Sequence, residues 1–342
     1  MDVASWQARL GQRVVVRRRL SGATLGDVVG ELTDVDTHLH VRTRTGLVSV
    51  PLDAVVAGKV VPPRPVRRGP PHRVTSITDL QAVMSLHWRA EHSERQGGWL
   101  LRASGGFTNR ANSVLPLGEP RDEPHVALAR VVAWYAGHGL RPRASLAQAV
   151  DGGVPDDRGP AGPLRAACEA AGWSVVPGGS ALVMTAATAA LRDRDPDGAS
   201  LPSASGELTL DVAAEPDDAW LATYRYRGQS LSPHARALLL SAPSQAFFSV
   251  RDAAGATVGV ARGSLGGGWA GLTAVDVRPD HRRRGLARGL LATAARWAHR
   301  SGAMSLYLQV SDTNQAAIAL YTGTGFTVHH RYDYWQSPPT SP

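Results

Sequence analysis

The sequence predicts an α+β protein in which a small all-β unit precedes two related α+β units. In residues 1–60, short runs of alternating apolar and polar residues recur between turn candidates, which is the pattern of half-buried strands. In the rest of the chain, segments with helical spacing of apolar residues alternate with β-like runs. Two stretches rich in proline, glycine and charge separate these three parts.

These breaks divide the 342 residues into predicted units. The units are an SH3-like β-barrel at 1–60, a Pro/Arg-rich linker at 61–73, a middle domain at 74–191, a linker at 192–205, a C-terminal domain at 206–336 and a flexible tail at 337–342. We predict the barrel because four or five short strands close most economically in that way. Its first strand, RVVVRRRL, is basic on its outward positions, which could contact phosphates; the alternative is a solvated edge strand protected from pairing by arginine.

The composition bounds the class of protein. The net charge is +8, but Lys59 is the only lysine among 37 basic residues, so part of the charge reflects coding bias rather than a nucleic-acid partner. No apolar run approaches the length of a membrane span, and charges interrupt the N-terminus where a signal peptide is apolar; we therefore expect a cytoplasmic protein without a membrane partner. The single cysteine, Cys168, excludes an intrachain disulfide and is expected to be an inert core thiol.

The middle and C-terminal parts share spacings that indicate a divergent tandem repeat. Trp134 and Trp297 each precede a glycine by five residues at the end of a helical segment. A second helical segment in each part then ends in a glycine followed by an aromatic residue, at Gly172 and Gly325. An insertion at 151–160 accounts for the different lengths of the two copies.

The most informative stretch is GLTAVDVRPDHRRRGLARGLLATAARWAHRSG. A strand ends at Pro279, a basic turn follows, and a helix begins near Gly285. Unsatisfied backbone N–H groups, the positive end of the helix dipole and a glycine that allows close approach together form a cradle for a pyrophosphate. The spacing R-x-x-G-x-A, from Arg282 to Ala287, matches neither a P-loop nor a dinucleotide fingerprint.

This stretch resembles the acetyl-CoA signature [QR]-x-x-G-x-[GA] of the GNAT superfamily of N-acetyltransferases. A second stretch, NQAAIALYTGTGF from Asn314 to Phe326, matches the family pattern N-x-x-A-x-x-L-Y-x-x-x-G-F. The resemblance implies a GNAT fold for 206–336, with a mixed, mostly antiparallel central sheet flanked by helices. The whole chain resembles an actinobacterial group in which an SH3-like barrel precedes a degenerate and an active GNAT half.

The resemblance also implies roles for individual residues. Main-chain groups of two strand residues would contact the pantetheine and the thioester, the turn and helix start would hold the pyrophosphate, and the second stretch would contact the coenzyme. The implied coenzyme-binding residues are Val275, Val277, Arg282, Arg283, Arg284, Gly285, Leu286, Ala287, Asn314 and Tyr321. The hydroxyl of Tyr321 would lie near the sulfur and protonate the leaving thiolate, although a tyrosine there could instead only pack in the core.

Attack of a neutral amine on a thioester also needs an acceptor for the proton of the amine. The strand before the turn supplies Asp276 as a candidate base, and the alternative is a strand-end carboxylate paired with an arginine. His329, His330 and Asp333 are alternative proton acceptors, or else parts of a structural strand. We expect no metal site, because no third ligand accompanies the two histidines.

The middle copy is predicted to lack catalysis. Acidic residues replace the glycine at its helix start, in GEPRDEPHVALARVV, and Ala166, Ala167 and Cys168 replace the leucine-tyrosine pair. A glycine-rich segment, Gly97–Gly118, could frame the acceptor cleft or be a structural hairpin.

The sequence thus predicts an acetyl-CoA-dependent N-acetyltransferase that acts on a primary amine in a ternary complex, with the acceptor left open between a small molecule and a protein or peptide. The alternative is a coenzyme-sensing or nucleic-acid-binding regulatory module with a non-catalytic GNAT domain. In that case the basic barrel would be the element that contacts nucleic acid.

Overall fold

The computed structural model describes residues 3–7, 9, 13–20, 24–43, 46–60, 70–151, 161–192, 208–224 and 231–339. The helices are α1 (Val3–Gln7), α2 (Pro71–Val74), α3 (Ile77–His87), α4 (Pro124–Gly137), α5 (Ala161–Ala170), α6 (Thr188–Arg192), α7 (Asp218–Thr223), α8 (Pro233–Leu239), α9 (Leu286–Arg300) and α10 (Gln315–Thr324). The strands are β1 (Arg13–Arg19), β2 (Leu25–Val35), β3 (His38–Thr43), β4 (Gly46–Pro51), β5 (Val55–Val60), β6 (His92–Gln96), β7 (Trp99–Ala103), β8 (Leu115–Pro116), β9 (Arg143–Gln148), β10 (Ser174–Ala187), β11 (Thr209–Ala213), β12 (Ser244–Arg251), β13 (Thr257–Gly266), β14 (Trp269–Val277), β15 (Ser305–Ser311) and β16 (Thr327–Gln336).

The N-terminal unit is a five-stranded antiparallel sheet in the order β4-β3-β2-β1-β5, which confirms the predicted SH3-like topology. Alternate valines and leucines of its strands bury one face, and Trp6 from α1 fills the centre of that core. The suggestion of an edge strand is wrong, because β1 lies between β2 and β5. Its outward Arg17 instead donates two hydrogen bonds to the carboxylate of Asp27 on β2, at 2.8 and 2.9 Å.

A mixed sheet of eight strands forms the rest of the framework, in the order β11-β12-β13-β14-β15-β10-β16-β9. Among the described strands of this sheet, β14 and β15 pair in parallel and the other neighbours are antiparallel, as the predicted fold class requires. Strands β6, β7 and β8 form a separate three-stranded sheet. A single parallel bridge, between Val114 beside β8 and Ala144 of β9, connects the two sheets.

The two copies repeat one element order. We refer to residues 70–192 as the first half and to residues 208–339 as the second half. The first half runs α4-β9-α5-β10 after the three antiparallel strands β6-β7-β8, and the second runs α9-β15-α10-β16 after the four antiparallel strands β11-β12-β13-β14. The last strands are exchanged, because β10 pairs with β15 and β16 pairs with β9. The domain boundaries near 191 and 206 stay predictions, but the two halves share one continuous sheet.

Helix α9 shows how the second half builds its core. Its apolar positions recur at helical spacing, and the side chains of Leu286, Leu290 and Leu291 are buried against strands β12, β13 and β14. Truncation of one such leucine to alanine costs about 2–5 kcal/mol of stability. The helix ends at Arg300, and Gly302 just beyond it has a φ of 84°, the left-handed conformation that stops a helix. Trp297 packs against the ring of Phe248, with 5.9 Å between centroids.

Two of the predicted connecting segments begin or end differently in the structure. Pro71–Arg73, predicted as the end of a linker, form most of α2, and the hydroxyl of Thr185 donates to the carbonyl of His72 at 2.8 Å. Ser337, predicted as the start of a flexible tail, accepts a hydrogen bond from Nε of Arg141 at 2.9 Å. The remainder of the first linker, at 61–69, and residues 193–205 of the second lie outside the described residues, as do 152–160 and 340–342. No helix within the described ranges is long and apolar enough to cross a membrane.

Candidate active site

The site begins where β14 and β15 separate. The two strands pair in parallel from Trp269 and Ser305 as far as Leu272 and Leu308, and beyond that level no ladder joins them. A bulge lies on β14 at the same level, where Ala274 has a φ of 54° and the register against β13 shifts. A bulge bends the strand that carries it, and we refer to the gap between β14 and β15 beyond Leu272 and Leu308 as the slot.

The helix start lies at the open end of this slot. After β14, a short 3₁₀ turn at Pro279–His281 leads into residues that need left-handed backbone, with φ of 58° at Arg283 and 80° at Gly285. Gly285 is the N-cap of α9, and as a glycine it has no side chain that could cap the helix. The first N–H groups of α9 therefore lack intrahelical acceptors and have the positive end of the helix dipole behind them. Such a terminus binds phosphate groups.

The three arginines of the turn differ in their partners. Nε of Arg282 donates to the carbonyl of Val277 at 3.0 Å, and its terminal nitrogen lies 3.9 Å from the carboxylate of Asp276. Arg282 thus crosses the end of β14 and is paired with the candidate base. The side chains of Arg283 and Arg284 are exposed beside the helix start.

Tyr321 and Asn314 take different positions on α10. The side-chain oxygen of Asn314 accepts from the backbone N–H of Ala317 at 3.1 Å, so this oxygen caps its own helix. Tyr321 is 8% exposed and belongs to the same core cluster as Val277 and Leu286. Its ring packs edge-to-face on Phe326 at 5.9 Å. Burial raises the pKa of the Tyr321 hydroxyl to about 12, so the group carries its proton at neutral pH.

His329 and His330 lie on β16 but are not exposed. A bulge in the pairing with β10 brings their rings together, with 2.8 Å between the two Nδ1 atoms. Nε2 of His330 lies 2.8 Å from the amide nitrogen of Gln81, and Nε2 of His329 lies 3.0 Å from the carbonyl of Thr75. One set of neutral tautomers satisfies the chain, in which Gln81 donates to His330, His330 to His329, and His329 to Thr75.

Burial lowers the pKa of His329 to about 4 and that of His330 well below its ordinary value, so both rings are neutral. Asp333 is also enclosed, because Ser180, Gln148 and Arg331 all donate to its carboxylate. The two histidines therefore bond to α3 and to the residue range just before it, and Asp333 bonds to β9 and β10. None of the three presents a free group to an acceptor.

Sequence reasoning missed two buried arginines near the slot. Arg262 on β13 is fully buried and donates to the carbonyls of Leu239 and His87 and to the hydroxyl of Thr273, which precedes the bulge. Arg102 on β7 is 4% exposed and donates to the carbonyl and the hydroxyl of Ser113. Each lies in an arginine–small residue–serine run, and that shared run was the available signal.

The first half has the same framework without the cradle. The parallel bridge described above joins the β8 region to β9, and α4 lies between these two strands in the chain. Glu123 is the N-cap of α4, and Asp122 beside it forms an ion pair with Arg130. Cys168 on α5 is buried, which raises the pKa of its thiol to about 12 and keeps it protonated. The predicted loss of a phosphate site in this half is consistent with these contacts.

The comparisons with known proteins agree with this architecture. The family model "Probable histone acetyltransferase Rv0428c C-terminal" matches residues 75–160 and 163–335. The model "Rv0428c N-terminal Sm-like domain" matches residues 8–59. The chain is 28% identical to the Probable histone acetyltransferase Rv0428c of Mycobacterium tuberculosis over 338 residues, which cover 97% of this chain and 96% of that protein. It is 25% identical to the Uncharacterized N-acetyltransferase YobR of Bacillus subtilis over 75% of this chain and 97% of that protein.

Two solved structures share the fold. A GCN5-related N-acetyltransferase from Kribbella flavida superposes with a TM-score of 0.54 at 16% identity, over 78% of this chain and 98% of that one. A tandem GNAT protein from the clavulanic acid biosynthesis pathway superposes with a TM-score of 0.50 at 17% identity, over 63% and 70%. The chain therefore belongs to the Rv0428c family, in which a Sm-like domain precedes a GNAT region, and it is an N-acetyltransferase.

Proposed function

We propose that the chain transfers an acetyl group from acetyl-CoA to a primary amine by direct attack in a ternary complex. The observation that carries this proposal is the slot between β14 and β15, which leads to a helix start capped by a left-handed glycine. An extended thioester arm and a diphosphate need those two features in that order, and the residues present fit such a coenzyme.

Main-chain groups at the end of β14 and at the start of α9 would hold the coenzyme. Val275 and Val277 would contact the coenzyme in the slot, Gly285, Leu286 and Ala287 form the helix start, and the exposed Arg283 and Arg284 would complement the phosphate charge. The amide nitrogen of Asn314 is the part of that side chain left to contact it, since the oxygen caps α10. When bound, acetyl-CoA supplies an acetyl group activated as a thioester.

In the proposed reaction, the amine nitrogen forms a bond to the carbonyl carbon and the carbon–sulfur bond breaks. The hydroxyl of Tyr321 donates its proton to the leaving sulfur, a role supported by its raised pKa and its place in one core cluster with Val277 and Leu286. The amine loses its proton to Asp276 or to solvent. The guanidinium of Arg282 lies 3.9 Å from the carboxylate of Asp276 and occupies it as an ion pair, which favours solvent as the acceptor of the proton.

The experiment incubates the full-length chain with acetyl-CoA and a panel of small amines, amino acids and peptides, including a basic histone-tail peptide. Release of free CoA and mass spectrometry of the products identify the acceptor. We expect acetylated amine when the acceptor is present and no acetylated enzyme when the acceptor is omitted. An acetyl-enzyme would contradict direct attack, and binding of acetyl-CoA without transfer to any amine would favour the regulatory alternative.

A further inference from the structure

A small polar cavity lies between α3 and the sheet where the two halves meet, and we refer to it as the junction cavity. Both halves contribute to its walls. The polar side chains that line it include Gln81, Arg102, Arg110, Ser145, Gln309 and Tyr332. The centre of a water-sized group can move through about 10 Å³ of it, so it suits one water-sized polar group, such as one oxygen of a carboxylate, and excludes an aromatic ring.

The junction cavity adjoins the slot. Leu272 and Leu308 are the last parallel pair of β14 and β15, and Gln309, the next residue of β15, lines the cavity. The side-chain oxygen of Gln309 accepts from the hydroxyl of Tyr332 at 3.0 Å, which fixes this wall. An acceptor that approaches the slot from the α3 side of the sheet would therefore extend its other end toward the cavity.

The cavity is rich in positive charge. Arg102 donates from two of its three nitrogens to Ser113, and its remaining nitrogen makes no bond to another described residue. Arg262, its counterpart in the second half, lies near Arg110, and both contact the ring of Trp88 at 5.3–5.4 Å. Within the described part of the chain, neither Arg102 nor Arg262 bonds to a carboxylate. Burial lowers the pKa of Arg102, and the charge of Arg110 lowers it further.

A buried guanidinium without an acidic partner is costly, since buried charges are normally paired. A negatively charged ligand group would supply the missing partner. The planar fork of an arginine matches a carboxylate, one oxygen of which suits the space. A lysine within a basic histone tail brings further positive charge, which this surface would repel.

We propose that the junction cavity binds a carboxylate of the acceptor through Arg102, so that the preferred acceptor is a small amine that also carries a carboxylate. The inference rests on the proposed function for the reaction at the amine. It also gives the first half a role, because that half supplies Arg102, Ser145 and α3 to the recognition of the acceptor.

The kinetic test uses the full-length chain, saturating acetyl-CoA and matched pairs of acceptors that differ in charge, such as glycine with glycinamide and 4-aminobutyrate with its amide. We expect kcat/KM to favour the carboxylate member by roughly 10- to 100-fold, the range of a charge-assisted hydrogen bond. Arg102→Gln should bring this ratio close to one. The control Arg130→Gln removes an exposed arginine of the same half and should keep the ratio.

Equal or better use of the amides by the unmodified chain would overturn the proposal, as would an unchanged ratio in Arg102→Gln. If Arg102→Gln does not fold, Arg102→Lys retains the charge without the planar fork and should lower the ratio by a smaller factor. The comparison of acids with amides in the unmodified chain needs no variant.

A binding measurement separates this proposal from the proposed function. Thermal unfolding of the full chain is followed in sodium acetate, sodium phosphate and sodium chloride of equal ionic strength. Stabilisation by acetate that Arg102→Gln loses supports the site even if no amine is acetylated. Stabilisation by phosphate without acetate contradicts the choice of a carboxylate, and no difference among the three salts contradicts an anion site.

Discussion

Glu123 and Gly285 occupy the same position in the two halves, as the N-caps of α4 after β8 and of α9 after β14. Gly285 has a left-handed backbone with φ of 80°, whereas Glu123 has a φ of −50° and carries a carboxylate. A phosphate is attracted to a helix N-terminus and repelled by a carboxylate placed there. This one pair of residues would account for a coenzyme cradle in the second half and its absence from the first.

We expect Gly285→Ala to raise the Kd for acetyl-CoA at least tenfold. The added Cβ brings strain of roughly 1–2 kcal/mol in left-handed backbone, and the cradle must change shape to relieve it. Gly302→Ala is the matched control, because Gly302 has a φ of 84° at the far end of the same helix and nothing lies within 4 Å of its added Cβ. Calorimetric titration with acetyl-CoA compares the two variants. If Gly302→Ala raised the Kd for acetyl-CoA as much as Gly285→Ala, strain alone, and not the cradle, would explain the weaker binding.

Tyr321→Phe should lower kcat by about 100-fold or more, which is the usual contribution of a general acid. Phenylalanine keeps the edge-to-face contact with Phe326, so the Kd for acetyl-CoA should change less than about threefold. Steady-state CoA release with a good acceptor, together with titration of the coenzyme, separates these effects. An unchanged kcat would assign the tyrosine to packing alone.

Asp276→Asn tests the base. The pairing with Arg282 leads us to expect that kcat falls by less than about fivefold, while the KM for acetyl-CoA rises because Arg282 loses one of its anchors. The measurement is the pH profile of kcat and of kcat/KM for both proteins. A fall in kcat of more than about 100-fold, with loss of the acidic limb of the profile, would establish Asp276 as the base.

The histidine pair predicts loss of stability in acid. Burial holds the pKa of His329 at about 4, below its ordinary 6.5, so between these pH values the unfolded chain binds a proton that the folded chain does not. Stability is therefore fully present above pH 6.5 and falls as the pH approaches 4, by about 3 kcal/mol for this one group.

Urea unfolding at several pH values measures this loss. His329→Asn keeps an acceptor near the position of Nδ1 and cannot take up the proton, so its stability should depend less on pH in this window. His125→Gln, at an exposed position on α4, serves as the control. A pH dependence in His329→Asn as steep as that of the unmodified chain would contradict the assignment.

Local patterns carried much of what the sequence predicted. The strand, basic turn and helix from Leu272 to Arg300 could be identified because turn chemistry and helical spacing act between near neighbours. The exchange of β10 and β16 between the halves could not be identified from the sequence, since strand pairing depends on residues far apart in the chain. The same holds for the burial of His329 beside His330, which needs a bulge that only the pairing with β10 creates.

Buried arginines were also beyond local patterns. Arg102 and Arg262 lie in strands where arginine is ordinarily an outward-facing residue, and only the tertiary environment turns them inward. The assignment of Arg282 to Ala287, Asn314 and Tyr321 to the coenzyme stays a prediction from the two motifs. Their roles stay predictions until the variants above are measured.

The exchanged last strands constrain how this protein can change over evolutionary time. A duplicated half without chemistry of its own would ordinarily be free to disappear, but here β15 of the second half has β14 on one side only and depends on β10 of the first half for its other neighbour. The arrangement has the symmetry of two subunits that became joined in one chain. Gene fusion of this kind would retain the non-catalytic subunit as structural support. Its side chains would then be free to change in ways that select the substrate of the active subunit.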